Sequence, residues 1–335
     1  MRLLLFVLLV GCSTPPPPAV RAAEPIAPEV VAEEPAGEEP GDPQVGTLAA
    51  PALEESSGLA ASRKHPGVFW SHNDSGGLPA LFALDGDGTH RGRVTVHHAK
   101  AKDWEDLALD RDGFLWIHDG GNNNNRRRDL TVYRAPEPDT LSGRVAADRA
   151  VRFRFPDQTE FPQPNRKNHD SEALFWDADR LYVLSKHRSD TRTKLYRFPP
   201  GFEADPTWDA QAMLKPGKKP DGVMLELLGD FELGGDPDNF GGKVTAADVS
   251  PDGRHLAVLT YHALFVFERP EGTSGNWLAG PHRRIDFEQT VTVQCEALAW
   301  DGAAIVFTNE QRSVFRIANP HDAGCTRFPS AGCRR

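Results

Sequence analysis

From residue 51 onward one short pattern returns five times, and this periodicity constrains the fold more than any other feature of the chain. The five segments are Glu55-Ser56-Ser57-Gly58-Leu59-Ala60, Asp103-Trp104-Glu105-Asp106-Leu107-Ala108, Asp170-Ser171-Glu172-Ala173-Leu174-Phe175, Thr245-Ala246-Ala247-Asp248-Val249-Ser250 and Gln294-Cys295-Glu296-Ala297-Leu298-Ala299. Each is followed by a turn, such as DRDG at 110–113 or SPDG at 250–253, and then by a β-rich run: VFWSHND, FLWIHDG, RLYVLSKH, HLAVLTYH, AIVFTNE. A third run (ALFAL, LTVYRA, KLYRF, ALFVF, SVFRI) follows in every unit. A fourth is readable as RGRVTVHH, RAVRFRF, VMLELLGDFEL and RRIDFEQ in the first four. Four short strands cannot bury their apolar faces alone, so such units pack side by side around an axis as the blades of a β-propeller.

The repeat starts at 55, 103, 170, 245 and 294, so the longer units carry insertions near 156–169 and 203–222. The expectation is an all-β propeller of five four-stranded blades, with six as the alternative if an insertion hides a degenerate blade. The last unit shows only three strands before the chain turns irregular at Asn319. A strand around residues 45–51 is therefore expected to complete the last blade and remove its exposed edge. Hydrophobic residues at 39% suffice for the core, and 30 Gly with 28 Pro supply the turns.

The N-terminus reads as an address. Arg2 precedes an apolar run, residues 3–10, that is too short to span a bilayer, and Leu9-Val10-Gly11-Cys12 follows. That tetrapeptide resembles the lipobox of bacterial lipoproteins, and the resemblance implies that Cys12 is acylated and becomes the mature N-terminus. Ser13 stands where an aspartate would imply inner-membrane retention, so a lipid-anchored place in the cell envelope, at the outer membrane, is expected. The organisation is then 1–12 signal and lipidated cysteine, 13–50 tether, 51–335 propeller. The tether contains Pro15 to Pro18, five more prolines, and little besides Ala, Glu, Val and Gly; at about 3.1 Å per residue it reaches on the order of 100 Å. The net charge is −10 and the sequence pI about 5.7, which disfavours a nucleic-acid binder.

The stretches SGLAAS with HNDSG (57–76), DWEDLA, DSEALFW, VTAADVSPDGRHLAVLTY and QCEALAW resemble bacterial secreted β-propellers of the phytase-like or esterase-like kind, and more distantly gluconolactonases. The resemblance implies the scaffold; propellers host hydrolases, lyases and binding modules alike.

Propeller geometry brings the start of each inner strand and the end of each second strand to one mouth. The inner-strand starts bring Glu55, Asp103, Glu105, Asp170, Glu172 and Glu296; the second-strand ends bring His72, Asn73, Asp74, His118, Asp119, Lys186, His187, Tyr261, His262, Asn309 and Glu310. Converging carboxylates repel unless a cation joins them, and Ca²⁺ takes six to eight such oxygens. Glu105, Glu172, Glu296, Asp119 and Asn73 are the candidate ligands. The same acids can instead cap backbone N–H groups of neighbouring blades, and both readings stay open.

His72, His118, His187 and His262 are the candidate bases for hydrolysis of an ester, lactone or phosphoester, with His72 and His118 alternatively bonding between blades. Asn122 to Asn125 with Arg126 to Arg128, and Lys186, Arg188, Arg192 and Lys194, offer charge for an anionic group or form a solvated loop. There is no G-x-S-x-G, H-E-x-x-H or C-x-x-C, and the glycine-rich stretch 235–243 has Pro237 where a phosphate loop needs glycine.

Two functions follow: a lipid-anchored binding or scaffold module with a small-molecule or protein ligand at an acidic, Ca²⁺-binding mouth, or a Ca²⁺-supported hydrolase at the same place. Cys325 and Cys333 are expected to pair in an oxidising compartment, with Cys295 packed as a small apolar residue.

Overall fold

The computed structural model describes residues 44–335 except 164, 165, 273, 331, 332, 334 and 335; the signal segment, Cys12 and the tether to residue 43 lie outside the described residues. Its strands sort into five sheets, each a blade numbered here from the axis outward. Blade 1 is Ser56–Ala61, Val68–Asn73, Ala80–Asp85 and His90–His97. Blade 2 is Asp106–Leu109, Phe114–Asp119, Thr131–Pro136 and Arg149–Arg154. Blade 3 is Asp170–Asp177, Arg180–Lys186, Arg192–Arg197 and Glu226–Glu232. Blade 4 is Val244–Val249, His255–Thr260, Ala263–Glu268 and His282–Phe287. Blade 5 is Cys295–Asp301, Ala304–Asn309, Ser313–Ile317 and, outermost, the N-terminal strand Gln44–Thr47.

The ring is thus five-bladed, and the six-bladed alternative falls. The 203–222 insertion holds short helical turns, Phe202–Ala204, Pro206–Trp208 and Ala210–Leu214, whose Phe202, Trp208 and Ala210 fill the cores around blade 2. Second strands such as VFWSHN are buried along nearly their whole length because other blades cover both faces, so they read as continuous apolar runs. The outer strand His90–His97 alternates instead, burying Val94 and Val96 between exposed neighbours.

Closure happens as expected, by a strand that starts one residue early and ends at Thr47, before the expected limit of residue 51. Gln44 pairs with Phe315 and Thr47 with Ser313, antiparallel. Leu48, Ala50 and Leu53 then enter the core between blades 5 and 1. The Arg312 guanidinium donates to the carbonyls of Leu48, at 2.5 Å, and of Ala50, at 2.7 Å, fixing the segment that leads into blade 1.

A second device covers the outer edges. In three blades a short parallel strand is added from the next blade around the ring: Gly143–Ala146 beside His90–His97, Val223–Met224 beside Arg149–Arg154, and Arg327–Phe328 beside His282–Phe287. Blade 5 is covered by the 85–90 turn, where Ala49 N–H donates to Gly88 O at 2.9 Å, and blade 3 is flanked by the turn Trp277–Ala279. Each cover leaves the third strand of its own blade, and the outer strands of blades 1, 2 and 4 are thereby paired on both sides. The C-terminal tail supplies the cover for blade 4, and the disulfide Cys325–Cys333, with both cysteines buried beside Phe328, pins it. Cys295 is free and buried, its Sγ 3.2 Å from Thr292 O.

Tryptophans donate to buried acids, from one blade to the next at Trp70 and Trp277 and within blade 2 at Trp116. Trp70 Nε1 donates to Glu137, Trp116 Nε1 to Asp110 and Trp277 Nε1 to Asp177, at 3.1, 2.9 and 3.1 Å. Trp300 Nε1 donates to the Asp248 carbonyl at 3.0 Å, while Trp116 stacks on Trp176 with ring centres 5.8 Å apart. Among the described residues no helix is long and apolar enough to cross a membrane.

Candidate functional site

Each inner strand except that of blade 2 carries a register shift near its start, at Ser57, Glu172, Thr245 and Glu296. Such a bulge adds one residue to a strand and re-aims its side chain, and here it turns Glu172 and Glu296 toward the axis. In blade 4 the bulge falls on Thr245, two residues before the position that the sequence alignment assigns. Asp248 consequently faces another strand: it is half-buried, Oδ2 accepts Trp300 N–H at 2.9 Å and Oδ1 accepts Val249 N–H at 2.8 Å.

At the junction of blades 1 and 2 three backbone segments are stitched together. Trp104 N–H donates to Asp74 O at 3.1 Å, Ser75 bridges Asp103, and Gly121 N–H donates to Asp103 O at 3.1 Å. This stitching brings one oxygen each of Asp74, Asp103 and Glu105 within 4.8 Å of one another. A Cβ on Gly121 would sit 2.0 Å from Glu105 Oε1 and 2.4 Å from Asp103 Oδ2, so only glycine lets the two carboxylates close over this turn.

Across the axis lies a cation of the chain's own. Lys186 Nζ is 3.1 Å from Glu172 Oε2, with both side chains under 5% exposed, and stands 4.7 Å over the Tyr261 ring. Arg188 Nε donates to Asp170 Oδ2 at 2.7 Å, and its guanidinium lies 3.7 Å from Glu172 Oε1. Burial alone would discharge the lysine, but Glu172, Tyr261, Glu296 and Asp170 outweigh it and hold the ammonium charged.

Burial still holds Glu172 above the carboxylate range despite this ammonium, and the acids near Asp74 feel Lys186 without pairing with it. Burial, with Asp103 and Glu55 as like charges, pushes Asp74 up to about 7, and its Oδ1 is buried without a partner. Burial and then Glu172 and Asp74 raise Glu105 well above the carboxylate range, and burial raises Asp103 against the pull of Arg127. Glu296, buried and set against Glu310 and Asp74, rises to about 8 despite Lys186.

The five expected ligands therefore separate. Glu105 belongs to the Asp74 group, whereas Glu172 and Glu296 face Lys186. Asp119 accepts from Arg127 at 2.9 Å and from Asp103 N–H at 3.2 Å. Asn73 holds the chain before blade 1, with Oδ1 accepting from Glu54 N–H at 2.8 Å and Nδ2 donating to Ala52 O at 2.8 Å. Asp74 and Asp103 were both legible at strand ends; their approach depends on the stitched junction, which spacing does not encode.

The histidines occupy separate settings. His72 and His118 are fully buried between blades: His72 packs edge-on to Trp104, and His118 Nε2 is 2.8 Å from Ser171 Oγ. Burial drops them to about 4 and about 3, so both rings are neutral at pH 7. His187 Nδ1 is 2.7 Å from Asp190, and His262 lines a different cleft in blade 4. The 122–128 loop is a brace: Asn122 N–H donates to Asp170 Oδ1 at 2.5 Å, Asn125 Oδ1 accepts His169 N–H at 2.7 Å, and Arg127 is spent on Asp119.

No family model matches the chain, and no curated protein matches its sequence. Among solved structures the similarity is low. The PQQ-bound aldose sugar dehydrogenase of Streptomyces coelicolor matches at 12% identity over 82% of this chain and 95% of that one, with a TM-score of 0.42. A gluconolactonase of Xanthomonas campestris matches at 12% identity, 81% and 77% coverage and TM-score 0.40. A putative 6-phosphogluconolactonase of Bacteroides fragilis NCTC 9343 matches at 13%, 78% and 70%, and 0.37.

Proposed function

We propose that this chain is a binding module of the bacterial cell envelope, anchored at the outer membrane through lipid on Cys12, whose mouth takes a small-molecule or protein ligand with the help of Ca²⁺ held by Asp74, Asp103 and Glu105. The observation that carries the cation is the orphaned, buried Asp74 Oδ1 beside two more carboxylates that no side-chain cation joins directly. A hard cation prefers several carboxylate oxygens and removes the repulsion that otherwise keeps these groups protonated. Lys186 pairs directly with Glu172, so the ion is assigned to the Asp74 side, where no such pair forms among the described residues. The anchor rests on Leu9-Val10-Gly11-Cys12, and the tether keeps the propeller clear of the lipid.

Binding reserved to the folded state stabilises it by RT ln(1 + [L]/Kd), roughly 2.7 kcal/mol at a hundredfold excess. Calcium added after chelation should raise Tm, Glu105→Gln and Asp74→Asn should each remove most of that response, and Glu172→Gln should leave most of it. A Tm indifferent to chelator and calcium removes the cation from the proposal. Calcium-dependent turnover of an ester, lactone or phosphoester panel would replace the binding module with the hydrolase. Cys12→Ser should release the protein from the membrane fraction; retention there would end the lipid-anchor reading.

A further inference from the structure

Blade 4 borders a second cleft, of about 800 Å³, that shares no residue with the carboxylate cluster. One part of its lining is the segment 233–242, which folds back on itself: the Asp236 carbonyl accepts Gly241 N–H at 2.7 Å and Asn239 N–H at 3.1 Å. Gly242, at φ 68°, lies so close to Thr191 that an added Cβ would sit 2.7 Å from its carbonyl oxygen, so the loop is wedged in place. This loop presents Phe240 in the left-handed region, at φ 62°, with 52% of the residue exposed. A bulky aromatic in that conformation is strained, and such strain gathers at functional positions. Tyr261 braces the ring edge-on, with centroids 5.6 Å apart at 78°.

The same cleft contains a polar group held by several contacts. Arg284 donates to Asp286 Oδ1 at 2.6 Å and to Leu233 O at 2.7 Å, and its guanidinium lies 5.3 Å over the Phe265 ring. Gln289 adds an amide that donates and accepts, and Asn239, whose Nδ2 donates to Asp236 Oδ2 at 2.9 Å, adds its carbonyl oxygen. Asp236 and Asp286 balance Arg284 and Arg327, and burial with Arg284 nearby pushes His262 toward neutrality. The lining thus favours no ion. It offers an exposed apolar ring face next to alternating donors and acceptors, in a volume suited to a ligand of two or three rings.

We infer that this cleft binds a neutral saccharide, with the C–H face of one sugar ring on Phe240 and its hydroxyls shared among Arg284, Asp286, Asn239 and Gln289. A sugar ring matches this lining because it is apolar on one face and carries hydroxyls around its rim. The site stands independently of the carboxylate cluster.

The test is saturation-transfer NMR on the full chain in a non-glycosidic detergent, with neutral trisaccharides of glucose, mannose and N-acetylglucosamine as probes and trigalacturonate and adenosine as comparators. At least one neutral trisaccharide should bind at millimolar concentration or below. Phe240→Gly should weaken it at least tenfold while leaving Tm unchanged or higher, because glycine accepts φ 62° without strain. Phe240→Trp and Glu105→Gln should retain binding. A signal from no neutral trisaccharide, a preference for the acidic sugar or the nucleoside, or full affinity in Phe240→Gly would each overturn the inference.

Discussion

Lys186 occupies the place where the sequence alone calls for a foreign cation. The argument that converging acids need a positive partner is sound, yet half of the demand is met by the chain, because the lysine ending RLYVLSK comes within 3.1 Å of Glu172. Removing one member of a buried pair strands the other, so Lys186→Met should cost on the order of 3–5 kcal/mol, and Glu172→Gln in the same chain should recover part of it. A loss below about 1 kcal/mol, measured by denaturant unfolding against the known scale for surface pairs, would mean that the pair is not what neutralises Glu172. The pH dependence is shared among the raised acids, Asp74 included, and two of them lie outside the Asp74 cluster. Glu296 moves from 4.5 to about 8 and Asp248 from 3.8 to about 7 on burial, so between those limits the folded protein holds protons that the unfolded chain has released. Stability therefore falls as pH rises from about 4 to about 8, with Glu296, Asp248 and Asp74 all contributing in the same direction. Tm should be higher at pH 5.5 than at pH 8, and Glu296→Gln should flatten that difference; a Tm that climbs over this range with the variant unchanged would contradict the assignment.

At the scale of elements, the inner, second and third strands and the closing strand were legible because each shows apolar residues or turn residues at fixed offsets. The fourth segment was aligned two residues late, since a bulge at Thr245 leaves no mark in a run of Thr-Ala-Ala. The short covering strands Gly143–Ala146, Val223–Met224 and Arg327–Phe328 were invisible, having neither length nor alternation, and so was the stitched junction that gathers Asp74 with Asp103. The closing strand carries a clear expectation. Removing residues 44–53 takes away the pairing with Ser313–Ile317 and the buried Leu48, Ala50 and Leu53, and should lower Tm sharply, whereas removing 13–40 should leave it unchanged. Equal effects would contradict closure by this segment. The tail is the matching element: its disulfide closes a loop of eight residues, and opening it by Cys325→Ser should cost roughly 2–3 kcal/mol by the loop-entropy argument. Peptide mass mapping that joined Cys295 to either tail cysteine would rule out this pairing.

At the scale of the whole molecule, the ring is held by its axis as well as its rim. Asp106, fully buried at the start of the inner strand of blade 2, accepts three backbone N–H groups: Leu107 at 2.8 Å from its own strand, Leu174 at 2.8 Å from blade 3 and Ala247 at 3.2 Å from blade 4. Capping of backbone N–H groups is thus seen between blades at Asp106, Asp248 and Asp170, and within a blade at the candidate ligands Asp119 and Asn73. Inner strands have no partner on their axial edge, so without such an acceptor their N–H groups would be buried and unsatisfied. Asp106→Asn keeps the shape but turns one acceptor into a donor facing another donor, and each orphaned group costs about 1–3 kcal/mol. The expected result is a lower Tm in a transition that remains single, because one side chain ties three blades together. Native-state hydrogen exchange gives the sharper reading: the amides of Leu174 and Ala247, on two blades other than that of the mutated residue, should lose protection together. If only amides of blade 2 respond, Asp106 is a local cap and cooperativity of the ring must come from the interblade cores and the rim alone.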